Sequence, residues 1–523
     1  MTNSPLSINY AKNFTRNITT NIIALIINTL VGLLLVPFYL DTLGPAAYAL
    51  IPLATTVTSY VTLIIDTINA AVARFLTIEL QCGKLQTANE TYSTSFTILI
   101  GTVLICIPIG VLVSILAPTI FETGTLAHAE VILFFILIIG SALISTLRSN
   151  FMAILFAYNR LDLRNAVTIS QTVLQVGLIV VLFLSAGVTL TAVGFAYLTA
   201  AFAAFILAYV LARMQRSGLH YQLRDCRRDR IKELGSLTGF LLFDRFGCML
   251  QGQIALVVVN IYFGAVVQAE YSLVITWCSF LIVLAGVVTT TISPKVYSLV
   301  GVGDDAGAVK FCAMFTKVVG LLAVLPIALL CIFAPQIMTI WVGAEYAKLA
   351  PLVWCLIPIT YFSITISSHN PLAIAKNRME FPAFLNVAVG LLYLVLALVL
   401  PVVFDIGYFG VAFAYMFTIF INYGFFSPIY YARIAGAPAF LFVRKNLYGV
   451  VGMIFIMIVG ILYTHFVLVD SILLLIVSGI VISAVYLFMV WVFGLSKEEK
   501  RMAVECLPEW VQKFGVWKYL REL

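Results

Sequence analysis

Five polar side chains recur at helical spacing within an apolar part of the chain near its N-terminus. They are Thr55, Ser59, Thr62, Asp66 and Asn69, separated by intervals of four, three, four and three residues. These intervals place all five on one narrow face of an α-helix. A face of hydroxyl, amide and carboxylate groups is not suited to lipid, so it either joins helices or lines water.

Amide side chains extend this pattern to two other apolar segments. The segment before the stripe carries Asn17, Asn21 and Asn28, and a later one carries Gln251 and Gln253. Hydroxyl groups alone would favour helix joining, whereas this concentration of amides favours an aqueous cavity. Hydrogen bonding by Asn, Gln, Ser and Thr suits the hydroxyl groups of a sugar.

Four cations lie near the same apolar segments, namely Arg16, Arg74, Arg245 and Lys295. Guanidinium groups offer forked donors to phosphate oxygens, so these residues are candidate ligands for a diphosphate. An arginine inside a span costs about 2.5 to 3.5 kcal/mol on insertion scales, so Arg245 requires a partner or a function. For Arg245 the alternative is snorkelling to lipid headgroups, and for Lys317 snorkelling is the preferred interpretation.

The carboxylate Asp66 would partly neutralise the positive charge of these residues or bind a coupling cation.

The composition identifies the environment of these groups. Of 523 residues, 62% are hydrophobic and only 10% are charged, with a mean hydropathy of +1.09. Soluble domains are about 25% charged, so the solvent here is mostly lipid. Soluble enzymes, secreted disulfide scaffolds and nucleic-acid-binding proteins are excluded. The nine cysteines form no CxxC pair, and neither a disulfide framework nor a metal site is predicted.

The apolar runs predict fourteen membrane-spanning helices. Their spans are 19–40, 46–68, 91–116, 129–150, 165–185, 191–212, 235–262, 270–292, 311–333, 350–374, 382–400, 408–430, 447–466 and 471–493. Arg245 and Lys317 then fall within helices, Lys348 falls outside, and the remaining lysines and arginines all lie in cytoplasmic segments. The positive-inside rule therefore predicts a cell membrane protein whose two termini are cytoplasmic. No cleaved signal peptide is expected.

An internal repeat divides these helices. Ala157-Tyr-Asn-Arg160 recurs as Ala375-Lys-Asn-Arg378, and Phe195-Ala-Tyr197 recurs at the same offset as Phe413-Ala-Tyr415. An offset of six helices gives two lobes of the same orientation, an arrangement typical of transporters that alternate between two openings. The predicted organisation is an N-lobe at 1–212, a basic linker at 213–234, a C-lobe at 235–432, two further helices at 433–495 and an amphipathic cytoplasmic tail at 496–523.

Three further observations bear on function. The basic linker is interpreted as a solvated topology determinant, with attraction to anionic headgroups as the alternative. His369 is interpreted as a hydrogen-bonded packing residue rather than a proton relay. Walker, HExxH and GxSxG motifs are absent from the sequence, as are paired carboxylates, so neither ATP-driven transport nor hydrolysis is supported and no enzyme is predicted.

Several segments resemble the landmarks of one family. They are Val36-Pro-Phe-Tyr-Leu-Asp-Thr-Leu-Gly44, Ala70-Ala-Val-Ala-Arg-Phe75, Ala157-Tyr-Asn-Arg160, Ser293-Pro-Lys-Val296 and Ile340-Trp-Val-Gly-Ala-Glu-Tyr346. In this order, and with fourteen helices, the chain resembles the Wzx-type polysaccharide flippases. These proteins belong to the multidrug/oligosaccharidyl-lipid/polysaccharide (MOP) superfamily, together with the MATE drug exporters and the lipid II flippases.

The resemblance implies an all-α, MATE-like fold and translocation of a polyprenyl or dolichyl (di)phosphate-linked oligosaccharide, a precursor of a polysaccharide, O-antigen or glycoprotein glycan. Alternating access without ATP hydrolysis is implied, with no cofactor and with H⁺ or Na⁺ as the candidate coupling ion. A polysaccharide polymerase or glycosyltransferases are candidate partners, besides membrane lipids. A MATE-like exporter of organic cations is the main alternative, and a membrane-embedded glycosyltransferase and a passive scramblase are the others.

Overall fold

The computed structural model describes residues 7–81, 83–158, 160–215, 218–376, 378–467, 471–497 and 499–500. The described residues do not include most of the predicted tail. The described side chains do not include those of Arg16, Asn17, Asn21, Asp66 and Arg74. Helices account for nearly all of the described chain, which contains no β-strand. Thirteen of the described helices are long and apolar enough to cross a membrane, as an all-α multi-pass membrane protein requires.

The chain divides into two units, residues 1–272 and 273–523. The helices of unit 1 are α1 (Ser7–Leu43), α2 (Pro45–Gln81), α3 (Leu85–Ile120), α4 (His128–Ala157), α5 (Leu161–Ala186), α6 (Leu190–Met214) and the first part of α7 (Arg228–Gly301).

Unit 2 contains the rest of α7 and a further set of helices. These are α8 (Asp305–Ile332), α9 (Ala334–Val342), α10 (Ala350–Thr365), α11 (Asn370–Ala375), α12 (Glu380–Val403), α13 (Phe409–Ile419), α14 (Ser427–Ile434), α15 (Leu441–Phe466) and α16 (Ile472–Met489). One π-helical turn, Phe420–Phe426, joins α13 to α14, and a second, Val490–Gly494, follows α16.

Helix α7 explains why thirteen spans are found where fourteen were predicted. Its apolar stretch, Leu242–Val283, covers 42 residues, about twice the ~20 residues that one crossing needs. Gly264 interrupts it with φ 87° and ψ 170°, which lie outside helical geometry. This break falls between the predicted helices 235–262 and 270–292, and the count of fourteen crossings stays a prediction.

The first part of α7 is bonded to the other helices of unit 1 through side chains. Thr56 donates to Gln253 Oε1 at 3.0 Å. The Asn260 amide accepts from the Glu122 N–H at 2.8 Å and donates to the Glu122 carbonyl at 3.3 Å. Ser272 reaches the Tyr48 hydroxyl at 3.4 Å. Hydrogen bonds between side chains are favourable in an apolar surrounding, so these contacts help to fix the position of the first part of α7.

An alanine at every fourth position lets α6 pack closely within unit 1. The buried positions on this face are Ala192, Ala196, Ala200, Ala204, Ala208 and Ala212, each at most 5% exposed. Small residues four apart form a flat stripe along which two helix backbones approach closely. On the same helix a Cβ at Gly194 would lie 3.0 Å from Leu137 of α4. The α4–α6 contact therefore depends on the absence of large side chains.

Unit 2 uses glycine for a similar purpose around Tyr361 of α10. This tyrosine is fully buried and donates to the Asn446 carbonyl of α15 at 2.8 Å. A Cβ at Gly320 of α8 would lie 2.7 Å from its hydroxyl oxygen, and one at Gly449 of α15 would lie closer still. Two glycines thus make the space in which one tyrosine joins three helices.

The repeat found in the sequence is also present in the backbone. Residues with positive φ occur at 44, 83, 124, 187 and 218 in the first half, and at 264, 303, 343, 405, 407 and 436 in the second. Apart from Gly407, which has no counterpart, the residues taken in order are separated by nearly the same offset as the sequence matches. The hydrogen bond from Arg160 N to Leu155 O at 2.8 Å likewise recurs from Arg378 N to Ala373 O at 2.9 Å. The two halves therefore share one chain path through their turns.

The basic linker is bound to α3 through its backbone, while its side chains Arg224 and Arg227 are exposed. After Gly218 it runs along the beginning of α3, whose side chains bind its backbone. The bonds are His220 N to Asn89 Oδ1 at 3.1 Å, Gln222 N to Ser93 Oγ at 3.1 Å and Arg227 N to Thr94 Oγ1 at 3.2 Å. Ion pairs add to these bonds, from Arg227 to Glu90 at 3.5 Å and from Arg230 to Glu79 at 3.2 Å.

Lys317 also differs from its expected snorkelling. It is 6% exposed and pairs with Glu499, which follows α16, at 2.7 Å between Nζ and Oε2. Burial raises the pKa of the Glu499 carboxyl, but the Lys317 ammonium and the Ser496 N–H outweigh it, and the net pKa lies below its ordinary value. This pair fixes the end of the described chain on α8.

Substitution of Ala204 by leucine should destabilise the protein. Overpacking a close helix contact costs about 1 to 3 kcal/mol, so the midpoint of thermal unfolding in detergent should fall by several degrees. Ala166→Leu on the exposed side of α5 is the matched control and should leave the midpoint unchanged. Equal midpoints for the two variants would contradict close α4–α6 packing.

Substitution of Glu499 by glutamine should leave the Lys317 ammonium buried without its counter-charge, at a cost of about 3 kcal/mol at neutral pH. Because the folded pKa of Glu499 is lowered, its contribution is complete above the unfolded pKa of about 4.3 and is lost as the pH falls through the folded pKa. The difference between wild type and Glu499→Gln in thermal unfolding should therefore disappear in acid. Glu345→Gln, at an exposed position, is the control and should show no difference at either pH.

Candidate functional site

A polar cavity of about 790 Å³ lies within unit 1, among α2, α4 and α5. Helix α2 contributes Thr62 and Asn69 of the predicted stripe to its lining. Helix α4 contributes Thr146, Arg148 and Ser149, and α5 contributes Arg164 and Thr168. Ligand pockets in proteins commonly have volumes of about 300 to 1,000 Å³, so this cavity accommodates a polar group of substantial size.

Two arginines give the cavity its charge. Arg148 is half-buried and donates from Nη1 to Gln171 Oε1 on α5. Arg164 is exposed, and it is close enough to Arg148 for the two charges to interact. Among the lining residues that the structure describes, none is a carboxylate. Two like charges held close together favour binding of an anion.

Hydrogen bonds between helices hold the polar walls in place. Ser149 donates to Asn69 Oδ1 at 3.1 Å, which connects α4 to α2. Thr172 donates to Asn28 Oδ1 at 3.0 Å, and Asn165 donates to Thr20 Oγ1 at 3.3 Å, which connect α5 to α1. Arg160, in contrast, is occupied by an ion pair with Asp162 at 3.0 Å. Among the arginines whose side chains the structure describes, Arg148 and Arg164 are therefore the ones that face this cavity.

The structure brings together only some of the predicted cavity residues. Thr62 and Asn69 line the cavity, whereas Asn28 accepts from Thr172 of α5, one helical turn beyond the lining residue Thr168. Thr55 is exposed, and Ser59 donates to the Thr56 carbonyl at 2.6 Å, so neither of them lines it.

The remaining predicted residues lie elsewhere. Gln253 bonds to Thr56, and Gln251 is buried with its amide 3.5 Å from the Gly247 carbonyl. Arg245 and Lys295 are exposed. Arg16, Asn17, Asn21, Asp66 and Arg74 have side chains outside those that the structure describes.

The residues that the prediction missed do have a signal in the sequence. Arg164, Thr168, Gln171 and Gln175 follow intervals of four, three and four residues, which places them on one face of α5. Arg148 and Arg164 were assigned only to topology, because both lie at the ends of predicted spans. The same positions serve as the charged part of a polar cavity.

The internal repeat shows that the fold itself does not require these arginines. At the offset that relates Ala157 to Ala375, Arg148 corresponds to Ile366 and Arg164 to Pro382. Thr168 corresponds to Asn386, which is buried and accepts from Asn422 at 2.6 Å. The second unit therefore closes this region with a hydrogen-bonded pair, whereas unit 1 keeps a cationic cavity. A charge present in one copy only is better explained by binding than by folding.

His369 packs as expected, fully buried, with its Nδ1 3.2 Å from Thr316 Oγ1 and its ring stacked on Phe442. The free cysteines of the described chain are Cys106, Cys226, Cys248, Cys278, Cys312, Cys331 and Cys355. Within the same residues, no group of three or more His, Cys, Asp or Glu side chains is arranged to hold a metal.

Known proteins of similar sequence and fold are found. The chain is 25% identical over 476 residues to the uncharacterized membrane protein EpsK of Bacillus subtilis strain 168, covering 90% of this chain and 93% of EpsK. The lipid II flippase MurJ, solved in an inward closed conformation, has a TM-score of 0.65 at 11% identity and covers 91% of this chain and 99% of its own. An inward-facing MATE transporter has a TM-score of 0.66 at 12% identity, covering 79% of this chain and 94% of its own. These structures are of transporters and flippases, not enzymes.

A family model described as polysaccharide biosynthesis protein matches residues 14–296, more than half of the chain. The matched region contains most of α1, all of α2 to α6 and most of α7, and with them every lining residue of the cationic cavity that the structure describes. The chain therefore belongs to the polysaccharide biosynthesis protein family, on a fold that it shares with transporters and flippases of the MOP superfamily.

Proposed function

We propose that the protein translocates a polyprenyl or dolichyl (di)phosphate-linked oligosaccharide from the inner to the outer leaflet of the cell membrane by alternating access. The observation that carries this proposal is the pair Arg148 and Arg164 in a cavity whose lining also presents hydroxyl and amide groups, beside apolar side chains. Family membership supports the class of substrate, since the matched family acts in polysaccharide biosynthesis. Both termini are proposed to be cytoplasmic, on the distribution of Lys and Arg.

The two guanidinium groups are assigned to the phosphates of the substrate. A planar guanidinium donates two parallel hydrogen bonds to phosphate oxygens, which a lysine ammonium does not. Gln171 holds the Arg148 guanidinium from one side. A fixed donor loses little conformational entropy when the phosphate binds.

The hydroxyl and amide groups are assigned to the sugars next to the phosphates. Thr62, Asn69 and Thr168 present donors and acceptors without net charge. Such groups replace the water that a glycan loses on entering the membrane, and the replacement avoids the cost of burying unpaired hydroxyl groups. The isoprenoid chain needs no polar path, because it remains in the hydrocarbon of the bilayer.

A MATE-like exporter of organic cations is the alternative function. A cationic drug requires acidic or aromatic groups in its cavity, because the positive charge must be compensated or placed over an aromatic face. The described part of the lining of the unit 1 cavity contains two arginines and no carboxylate. Its electrostatic potential therefore favours the anionic substrate.

Substitution of Arg148 by glutamine should slow translocation. A charge-assisted hydrogen bond is worth about 1.5 to 3 kcal/mol, so the rate should fall roughly ten- to a hundredfold. The measurement follows a fluorescent polyprenyl-diphosphate oligosaccharide in proteoliposomes, by its accessibility to an impermeant reagent outside. Arg164→Gln should act in the same direction, and Arg148→Lys should lie between wild type and Arg148→Gln because it keeps the charge without the fork.

Arg224→Gln, at an exposed position of the linker, is the control and should translocate at the wild-type rate. Unchanged translocation by both Arg148→Gln and Arg164→Gln would remove the cavity from the mechanism. Vesicles that expel a cationic dye, but do not translocate the glycolipid under an imposed H⁺ or Na⁺ gradient, would instead establish the exporter.

We retain Arg245 and Lys295 as proposed supplementary contacts to the phosphates. Because both are exposed, water and salt screen them, and each is worth at most about 1 kcal/mol. Arg245→Gln should therefore lower the rate no more than about fivefold in dilute buffer and have no effect at high salt. An unchanged rate in dilute buffer would assign Arg245 to snorkelling.

A further inference from the structure

Helices α3 and α8 are partners in the internal repeat, but the protein covers them to different degrees. The positive-φ turns at Gly83 and Gly303 precede them, and Ala88 and Ala308, at the same offset, are both fully buried. The beginning of α3 therefore corresponds to the beginning of α8. In the apolar window of α3 only 11% of the residues are buried, whereas 56% are buried in that of α8.

Helix α15 accounts for much of the cover on α8. Ile332 of α8 lies against Gly460 of α15, where a Cβ would have no space. Leu321 of α8 lies 3.5 Å from the position that a Cβ would take at Gly452 of α15. Val324, between these two contacts, is fully buried. This face of α8 is therefore closed by protein.

The corresponding face of α3 is open. At the offset that relates Gly83 to Gly303, the residues that correspond to Leu321, Val324 and Ile332 are Gly101, Leu104 and Leu112. A Cβ at Gly101 would have no atom of a neighbouring element within 4 Å. The exposed fractions of Leu104 and Leu112 are 63% and 56%. Among the described helices, none takes beside α3 the place that α15 has beside α8.

An aromatic cavity of about 580 Å³ lies in unit 1 where this open face begins. Its rings come from three helices and the linker, namely Tyr92 and Phe96 of α3, Phe151 of α4, Tyr209 of α6 and Tyr221 of the linker. The rings of Phe96 and Tyr221 meet edge to face with their centroids 5.1 Å apart, and those of Phe151 and Tyr209 do so at 5.4 Å. The linker therefore completes a cavity that α3, α4 and α6 begin.

In unit 2 a side chain of α15 fills the corresponding space. At the offset that relates Ala157 to Ala375, Phe151 corresponds to His369. The His369 ring stacks on Phe442, in the first turn of α15, with the ring centroids 4.5 Å apart. The aromatic cavity of unit 1 is thus the space that the beginning of α15 fills in unit 2.

A guanidinium group gives the aromatic cavity its charge. Arg213, in the last turn of α6, is exposed, and its guanidinium carbon lies 5.8 Å from the centroid of the Tyr209 ring. Among the lining residues that the structure describes, Arg213 is the one arginine or lysine, and none is an acid. A guanidinium in this position can donate two parallel hydrogen bonds to one phosphate group.

The rings provide for a second kind of charge. The faces of tyrosine and phenylalanine attract an ammonium group, and clusters of such rings are the usual recognition site for amine headgroups. One guanidinium and several rings therefore match a headgroup that contains one phosphate and one ammonium. A headgroup with a net negative charge would leave the rings without a role.

An apolar ridge leads from the cavity along α3. Its residues follow intervals of four, or twice four, and are Tyr92, Phe96, Ile100, Leu104 and Leu112. A soluble phosphate or amine would make no contact with this ridge, whereas a hydrocarbon chain would bury apolar surface along it. A cavity for a headgroup at the start of an apolar ridge is complementary to a phospholipid.

We propose that unit 1 binds a zwitterionic phospholipid in the place that α15 takes in unit 2. The phosphate binds Arg213, the ammonium group lies among the rings of Phe96 and Tyr221, and one acyl chain covers Leu104 and Leu112. The site shares no lining residue with the cationic cavity of the proposed translocation site. The lipid holds the linker to α3 and α6.

Native mass spectrometry of the full-length protein in detergent tests this proposal. The protein is incubated with dioleoyl phosphatidylethanolamine or with dioleoyl phosphatidylglycerol, which share their chains and their phosphate and differ in the ammonium group. We expect roughly fivefold stronger retention of phosphatidylethanolamine, which is the effect of about one cation–π contact. Tyr221→Leu should abolish this preference, whereas Tyr221→Phe should keep it because the ring remains.

Arg213→Gln tests the phosphate contact separately. Both lipids contain the phosphate, so this variant should retain each of them roughly tenfold more weakly and leave their ratio unchanged. Arg224→Gln, at an exposed position of the linker that does not line the cavity, is the control and should retain both lipids as wild type does. Thermal unfolding without added lipid shows whether each variant is folded.

Equal retention of the two lipids by wild type, or stronger retention of phosphatidylglycerol, would overturn the proposal. An unchanged preference in folded Tyr221→Leu, or unchanged retention by folded Arg213→Gln, would also overturn it. Displacement of the lipid by millimolar phosphoethanolamine would overturn it in favour of a soluble ligand, because the headgroup alone would then account for binding.

Discussion

The contact between the Arg148 guanidinium and Gln171 is the interaction on which the unit 1 site depends. A cation within a membrane-spanning helix is costly, and the cost is lowered where the charge is hydrogen-bonded and opens to a polar cavity. Gln171 supplies the hydrogen bond, and the hydroxyl and amide groups of α2, α4 and α5 supply the polar surroundings. The close α4–α6 contact matters for the same reason, because it fixes the helix from which Arg148 projects.

The duplication of the chain provides a comparison within one molecule. Turns with positive φ recur in the same order and at nearly one offset, so both halves use the same connections. Side chains at corresponding positions nevertheless differ in kind, with arginine opposite isoleucine at 148 and 366, and glutamate opposite lysine at 90 and 310. The two halves share a backbone path but differ in the side chains on their surfaces. Features common to both halves are therefore those that the fold needs, and features present in one half are candidates for binding.

The features that depend on composition and local pattern could be predicted from the sequence. The helical membrane fold follows from hydropathy, and the repeat follows from short matches at one offset, because both are local properties of the chain. The polar stripe of α2 was recognised, but only Thr62 and Asn69 of it line the cavity. A polar stripe on one helix defines one wall of the cavity. The residues of the opposite wall are set by the packing of α2 against α4 and α5, and the periodicity of a single helix does not predict that packing.

The expectation for Lys317 is wrong for a related reason. It follows from the depth of Lys317 in a predicted span, which is a one-dimensional quantity, and Arg148 and Arg164 are counted from the sequence only as cytoplasmic charges. In the fold, Lys317 meets Glu499, far along the chain, and Arg148 meets a glutamine of the next helix. Depth alone favours snorkelling for any cation near a helix end, whereas a partner on another helix makes an inward position more favourable than the headgroup region. The number of lysines and arginines in the loops therefore predicts the topology of a membrane protein. The role of an individual charged residue depends instead on its partner on another helix.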